Sequence, residues 1–127
     1  MNVHILEMPL DFGASRHGSD MGPSAIRLAG IKEKLEKIGH STIEHSDIFS
    51  SKSQEYQQVG NLKAKYLAPI TNACTALAKN VEEIASKGEF PLVLGGDHSI
   101  ALGSMAGISA VAKKNNQRLG VLYVDAH

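Results

Sequence analysis

Residues 90–107 read FPLVLGGDHSIALGSMAG, and this stretch determines the fold class that we predict for the chain. Its first part, FPLVLGG at 90–96, is an unbroken apolar run closed by two glycines, which is typical of a strand buried on both faces of a sheet. A helix is predicted to follow, and its inward-facing residues should be Met105, Ile108, Val111 and Ala112. A buried strand that leads directly into a helix indicates an α/β fold with a parallel sheet.

The rest of the chain repeats this alternation of strands and helices. Strands are predicted at 2–8 (NVHILEM), at 41–48 (STIEHSDI) and, as a fourth buried strand, at 119–124 (LGVLYV). Loops are predicted at 9–24 and 49–60, where glycine, proline and polar residues replace the apolar period. Two further helices follow from apolar residues at helical spacing: Leu28, Ile31, Leu35 and Ile38, and then Tyr66, Ile70, Ala73, Leu77, Val81 and Ile84.

Single glycines and prolines mark the predicted ends of these helices. Pro23 fits the first turn of the first helix, where its missing N–H costs nothing, and Gly39 fits the left-handed position that ends it. Pro69 should either kink the second helix or mark its true start. The order of elements predicts a single α/β domain over 1–127.

Composition excludes several classes of protein. The 127 residues contain 13 basic and 13 acidic side chains, so no net charge directs the chain to nucleic acid or to an anionic membrane. No run of 18 or more apolar residues occurs, and the N-terminus lacks the pattern of a signal peptide. The single cysteine, Cys74, cannot form an internal disulfide, which favours a reducing cytoplasm.

Two strand ends carry the side chains that indicate chemistry. LGGDHS at 94–99 presents Asp97 and His98 after a strand, and VDAH at 124–127 presents Asp125 and His127. Ligands of open parallel sheets bind beyond the carboxyl ends of the strands. Residues two apart in an extended segment point to the same side. Asp125 could therefore bridge two cations while an imidazole on either side binds one of them.

Other interpretations of the same residues remain open at this point. His98 could be a packing residue, and Asp97 could simply accept N–H bonds at the start of the next helix. A phosphate cradle after the two glycines is disfavoured, because Asp97 would place a carboxylate where the phosphate should lie. The other histidines, including His17 in the first long loop, are better explained as satisfied or solvated side chains. Cys74 is interpreted as a small core residue.

Three segments of the sequence resemble the arginase family, the ureohydrolases. LGGDHSIALGSMAG (94–107) and VLYVDAH (121–127) resemble the first two signature segments of that family. DFGASRHGSDMGPSAIRLAG (11–30) resembles its N-terminal loop and first helix, in the form that arginases rather than agmatinases have. The resemblance implies a three-layer α/β/α fold with a parallel sheet, of which only the first half is present in these residues. Residues 1–127 would be the N-terminal part of a single arginase-like catalytic domain.

The resemblance also implies a reaction and a set of roles. In the family, two manganese ions share a hydroxide that attacks the guanidinium carbon of L-arginine, which gives L-ornithine and urea. By motif, His98 would be a ligand of one metal, His127 a ligand of the other, and Asp125 the bridge between them. Asp97 would orient the turn from outside the ligand set. Oxygen-rich coordination suits manganese, although two histidines and one aspartate could equally hold zinc.

The second signature segment stops at His127, before its second aspartate, and the later ligands and strands of the family do not follow. We therefore expect the chain to be part of a longer protein and to be inactive alone. In the family, later strands separate the third strand from the fourth, so 119–124 should lack partners here. When complete, the protein is expected to be a homo-oligomer that binds a small guanidino substrate. The alternatives are an agmatinase or other guanidino-hydrolase, and a non-catalytic truncated polypeptide.

Overall fold

The computed structural model describes residues 1–48 and 59–125. The strands in these residues are β1 (Asn2–Met8), β2 (Ser41–Glu44), β3 (Gly60–Asn61), β4 (Ala64–Lys65) and β5 (Phe90–Gly95). The helices are α1 (Gly22–Leu28), α2 (Ile31–Lys37), α3 (Leu67–Ser86) and α4 (Ile100–Lys114), and a 3-10 turn spans Ser19–Met21. Most of the predicted loop at 49–60 lies outside the described residues, and its end belongs to the short hairpin of β3 and β4.

A parallel sheet with the order β2-β1-β5 forms the centre of the described structure. β1 lies between the other two strands, with Val3 aligned with Thr42 on one side and with Phe90 on the other. Every residue of β1 after Asn2 is buried, as expected for a strand covered on both faces. The prediction of an α/β fold with a parallel sheet is confirmed.

Helices cover both faces of this sheet, which gives the predicted three layers. Successive side chains of a strand point to opposite faces. On one face, Leu6 and Met8 pack in the core with the buried stripe of α3, which consists of Ala73, Leu77, Val81 and Ile84. On the other face, Glu7 accepts a hydrogen bond of 2.6 Å from Arg27 of α1. The α3 stripe is buried as predicted.

The packing of α4 on α3 corrects one prediction about which residues face inward. Met105, predicted to be inward-facing, is 41% exposed, and the buried positions of α4 are Gly103 and Gly107. A Cβ atom on Gly107 would lie only 2.6 Å from the Ala78 carbonyl oxygen, and one on Gly103 would lie 2.7 Å from the Cys74 carbonyl oxygen. The two helices approach so closely that glycine, not a large apolar side chain, occupies the contact.

The helix predicted from Pro23 to Ile38 is wrong as a single element. It is divided into α1 and α2 at Gly30, which has φ 77° and ψ 41°. Glycine adopts this left-handed conformation without strain, so the chain can turn there. The predicted inward face is also only partly covered, since Leu28 is 87% and Ile38 is 69% exposed. Gly39 has the predicted positive φ, at 90°.

The two prolines predicted at helix starts, Pro23 and Pro69, lie in first turns of helices, and the second strand is shorter than predicted. Pro23 is in the first turn of α1, and Pro69 is the third residue of α3, so it marks the start of that helix and does not kink it. β2 ends at Glu44 rather than at residue 48, although the Ile48 N–H still donates to the Glu7 carbonyl at 3.1 Å.

No helix among the described residues is long and apolar enough to cross a membrane.

The predicted buried strand at 119–124 is wrong. Residues 119–125 have no regular secondary structure, and Leu122 and Val124 are 91% and 90% exposed. Burying such a side chain is worth about 1.5–3 kcal/mol, which the described part of the chain does not gain at these two positions. This result agrees with the expectation that the segment lacks partner strands.

A chain of polar side chains joins β1 to the segments beside it. His4 is buried, its Nδ1 lies 2.8 Å from Nε2 of His45, and its Nε2 lies 2.8 Å from Oε2 of Glu89. Asn2 donates to the other oxygen of Glu89 at 2.7 Å. Glu89 only accepts, so His4 donates through Nε2 and, in its neutral form, accepts from His45 through Nδ1. These histidines are satisfied by protein partners, as the sequence indicated.

This cluster predicts a loss of stability in mild acid. Burial, and then the nearby His4, lower the pKa of His45 below its ordinary 6.5. The unfolded chain therefore binds a proton at His45 more readily than the folded chain does. The neutral His45 ring contributes its full stabilisation above about pH 6.5. This contribution falls as the pH drops through 6.5 towards the lowered pKa of His45 in the folded state. We expect the free energy of unfolding, measured with urea, to be lower at pH 5 than at pH 7.5.

The matched variant is His45→Gln, which keeps an N–H donor for His4 but does not titrate. Its stability should fall less between the two pH values than that of the wild type. An equal fall in both proteins would show that His45 is not the responsible group, and would direct attention to the flanking charges Glu83 and Lys87.

Candidate metal centre

The candidate site lies where β1 and β5 end side by side. The two strands run parallel, and Met8 at the end of β1 is aligned with Gly95 at the end of β5. The segments that follow, 9–18 and 96–99, therefore leave the sheet at the same edge. This is the carboxyl edge, where open parallel sheets place their ligands.

The glycines of the turn after β5 allow it to press against the segment after β1. The Asp97 N–H donates to the Leu10 carbonyl at 2.7 Å, and the Gly96 N–H donates to the Met8 carbonyl at 3.3 Å. A Cβ atom on Gly96 would lie 2.0 Å from the Leu10 carbonyl oxygen, so no other residue fits without displacing the backbone. Gly96 thus serves a close approach of two main chains, not a phosphate.

Asp97 fixes the conformation of this turn. Its side chain is buried, with 8% of the residue exposed. Oδ2 accepts the Gly13 N–H at 2.7 Å, and Oδ1 accepts the Ser99 N–H at 2.8 Å together with a short hydrogen bond from the Ser99 hydroxyl. Each oxygen of the carboxylate is thereby satisfied within the protein. Asp97 binds the first long loop to the turn and leaves the next residue, His98, at the sheet edge.

His98 borders a cleft whose other wall comes from the end of the chain. Its ring is stacked on Tyr123, with 5.3 Å between ring centroids and 17° between planes. The cleft has a volume of about 450 Å³ and is lined by side chains that include Asp97, His98, Tyr123 and Val124. The segment that leads to Asp125 and the turn that carries His98 therefore face the same space.

The predicted ligand set is only partly brought together. Asp125 belongs to an exposed segment, and His127 lies outside the described residues. Among residues 1–48 and 59–125, no three His, Cys, Asp or Glu side chains converge as metal ligands. The structure therefore places His98 and the approach to Asp125 at one cleft but does not test the metal roles of His98, Asp125 and His127.

Asp11 is the residue of this edge that the sequence reasoning missed. It is 1% exposed, and its Oδ2 accepts hydrogen bonds from His17 Nδ1 at 3.1 Å and from the Gly18 N–H at 3.2 Å. His17, expected to be solvated, is 58% exposed but is held by this carboxylate. A possible signal was an aspartate just after a buried strand in a glycine-rich loop, a common arrangement for capping loop N–H groups.

Cys74, predicted to be a small core residue, lies at the margin of the core rather than within it. It is half-buried on α3, its Sγ donates to the Ser99 carbonyl at 3.2 Å, and burial raises the pKa of its thiol. A raised pKa disfavours the reactive thiolate. Cys74 therefore supports the turn through its hydrogen bond to Ser99.

Comparisons with known proteins identify the family of this chain. The Arginase family matches residues 1–127. The arginase of Brevibacillus brevis is 46% identical over 126 residues, which is 99% of this chain and 40% of that protein. The crystal structure of the arginase from Bacillus cereus superimposes with a TM-score of 0.75 at 41% identity, covering 87% of this chain and 35% of that one.

The native structure of the arginase from Bacillus caldovelox gives a TM-score of 0.77 at 40% identity, covering 85% of this chain and 36% of that structure. The chain thus spans about 40% of the length of the curated relatives it matches, so these residues hold somewhat less than the predicted half of the fold. Because the family match covers every one of its residues, the chain belongs to the arginase family.

Proposed function

We propose that the complete protein hydrolyses L-arginine to L-ornithine and urea with the aid of manganese. Membership of the arginase family supports this reaction. The observation that carries it in the structure is the Asp97-bound turn, which holds His98 at the carboxyl edge of the sheet. A turn fixed by a buried carboxylate presents its histidine in a defined position, as a metal ligand requires.

The donor atoms of this edge fit a pair of divalent cations. His98 and His127 would each supply an imidazole nitrogen to one ion, and Asp125 would supply one oxygen to each. Asp97 is already saturated by hydrogen bonds, so it would hold the turn rather than bind metal. Manganese, when bound, supplies Lewis acidity that activates water and neutralises developing negative charge. Further carboxylates from beyond residue 127 would favour manganese over zinc.

The chain's own residues would position the substrate end that reacts. The cleft between the His98 turn and Tyr123 is also lined by the apolar residues Val93 and Ile100. The guanidinium group would enter at the sheet edge, close to the carboxylate of Asp125. We further propose that the complete protein acts in the cytoplasm as a homo-oligomer, and that arginine is preferred over agmatine.

The test compares the 127-residue chain with a protein extended to the length of the arginases that it matches, of which it covers 40%. The continued protein should release urea from L-arginine when loaded with manganese, and should lose that activity on chelation. The 127-residue chain should release none, because the segment before Asp125 is exposed and unsupported. Urea is measured colorimetrically over a manganese titration.

Agmatine, assayed in parallel, separates the two guanidino-hydrolase alternatives. A higher kcat/KM for agmatine than for arginine would replace the proposed substrate and keep the reaction. If the continued protein binds manganese but releases no urea from either compound, the catalytic proposal is wrong and a non-catalytic role is favoured.

A further inference from the structure

Tyr66 has a backbone conformation that bulky residues rarely adopt. Its φ of 55° and ψ of 25° lie in the left-handed region, at the point where the hairpin of β3 and β4 ends and α3 begins. In this region the Cβ atom of an L-amino acid crowds its own backbone, so a bulky residue stays there only when the surrounding structure requires it. Among the described residues other than glycine, only Tyr66 and Asn116 have a positive φ, and asparagine tolerates it better than tyrosine.

Main-chain hydrogen bonds and a ring contact hold Tyr66 in this conformation. The Tyr66 N–H donates to the Val59 carbonyl at 2.9 Å, and the Tyr66 carbonyl accepts the Ile70 N–H of α3 at 3.1 Å. The Tyr66 side chain packs against the hydrophobic core, where 5.1 Å separates its ring centroid from that of Phe12 and the planes are inclined by 32°. The residue that joins the hairpin to α3 therefore also contacts the first long loop.

Phe12 belongs to the peptide group that binds Asp97. Phe12 is 3% exposed, and the N–H of the peptide bond between Phe12 and Gly13 donates to Asp97 Oδ2 at 2.7 Å. A Cβ atom on Gly13 would lie 3.1 Å from Asp97 Oδ1, so the loop lies directly against this carboxylate. Asp97 is followed in the sequence by His98. A shift of the Phe12 ring would therefore move the peptide group that holds Asp97, and with it the turn that carries His98.

We infer that the Tyr66 ring fixes the peptide group of Phe12 and Gly13 against Asp97 and so positions His98 for its metal ion. Tyr66 is a positioning residue, since it acts through Phe12 and Asp97 and not as a metal ligand. The inference rests on the proposed function. It extends the support of the candidate metal centre to the hairpin of β3 and β4, which lies outside the segments that carry the proposed ligands.

The test measures how urea release by the complete protein depends on manganese in two variants. Glycine accepts the left-handed backbone without strain but has no ring. In Tyr66→Gly the manganese concentration that gives half of the maximal rate should rise about ten-fold, as expected when the support of a metal ligand is weakened. The rate at saturating manganese should stay near that of the wild type, because every metal ligand remains. Tyr66→Phe keeps the ring contact and should match the wild type in both quantities.

Ile84→Ala is the matched control for a general loss of packing. Ile84 is 4% exposed and belongs to the same core cluster as Phe12. It lies near the other end of α3, about 27 Å from Tyr66 at 1.5 Å per helical residue. Ile84→Ala should lower the free energy of unfolding at least as much as Tyr66→Gly does, and should leave the manganese dependence unchanged.

Hydrogen exchange of residues 11–18, followed by mass spectrometry, measures the inferred contact without metal or substrate. The Gly13 N–H is protected by its hydrogen bond to Asp97. Tyr66→Gly should accelerate exchange in this segment, because the peptide group would no longer be fixed by the ring contact. Tyr66→Phe and Ile84→Ala should leave exchange in this segment at the wild-type rate.

The inference is overturned if Tyr66→Gly leaves either the manganese dependence or the exchange of 11–18 unchanged. It is also overturned if Ile84→Ala changes both as much, which indicates general packing, or if Tyr66→Phe behaves like Tyr66→Gly, which shows that the ring is not the responsible group. Failure of the proposed function looks different, because the wild-type protein itself would then release no urea. The exchange experiment would still show in that case whether Tyr66 holds the loop.

Discussion

Replacing Gly96 by alanine is expected to destabilise the protein by about 3 kcal/mol and to prevent manganese from binding. The added Cβ would lie 2.0 Å from the Leu10 carbonyl oxygen and 2.9 Å from the Leu10 carbonyl carbon. Backbone atoms cannot rotate away as a side chain can, so the turn itself must move. That movement breaks the Asp97–Leu10 hydrogen bond of 2.7 Å and shifts His98 away from the sheet edge. Urea denaturation and a manganese titration of the complete protein measure the two effects.

Gly95→Ala provides the matched control on the neighbouring residue. Its Cβ would meet Cδ1 of Ile100 at 1.8 Å, but this atom is the flexible end of a side chain and can adopt another rotamer. We expect a loss of about 1 kcal/mol, with manganese affinity retained. Gly96→Ala and Gly95→Ala could instead lose equal amounts of stability and of metal affinity. That result would contradict this explanation, because the contact with the Leu10 backbone would then make Gly96 no more sensitive to substitution than Gly95.

The sheet could be predicted from the sequence because its signals are local. The apolar run that became β5 and the two glycines after it define a buried strand and a tight turn without reference to the rest of the chain. The α3 stripe was equally clear. Predictions failed where distant partners decide. Gly103 and Gly107 face α3 because two backbones meet there, and helical periodicity alone favours Met105 for that position.

The candidate site shows the same division between local and distant signals. The sequence pointed to Asp97 and His98, and the local bond from the Ser99 N–H to Asp97 agrees with the capping role considered for it. The other oxygen of Asp97 accepts the Gly13 N–H, 84 residues away, and spacing along the chain carries no information about that contact. The Asp11–His17 pair was missed for the related reason that a loop rich in glycine gives no period from which burial can be read. The segment 119–124 has a strand-like pattern, yet a strand also needs a neighbour to pair with, and its residues are exposed.

Substitution of Asp125 by asparagine is expected to reduce manganese-dependent urea release by the complete protein about 10³-fold or more. In the proposed centre Asp125 would supply an anionic oxygen to each of the two cations. Asparagine has nearly the same shape but offers one neutral oxygen and an amide nitrogen that does not coordinate. The paired charge that stabilises the transition state would be lost, which corresponds to several kcal/mol. Initial rates with L-arginine and the manganese content of the purified protein give the result.

Asp47→Asn is the appropriate control, because Asp47 is also exposed but follows β2 at the outer edge of the sheet. The two variants make the same change of charge, so a difference between them cannot come from net charge. Asp125→Asn should lose metal and activity while its thermal midpoint in the absence of metal stays close to that of the wild type, since Asp125 is exposed in the described structure and asparagine keeps its shape. Retention of wild-type activity by Asp125→Asn would remove the bridging role. The remaining nitrogen ligands would then have to hold each cation separately, and the pattern at the end of the chain would lose its chemical explanation.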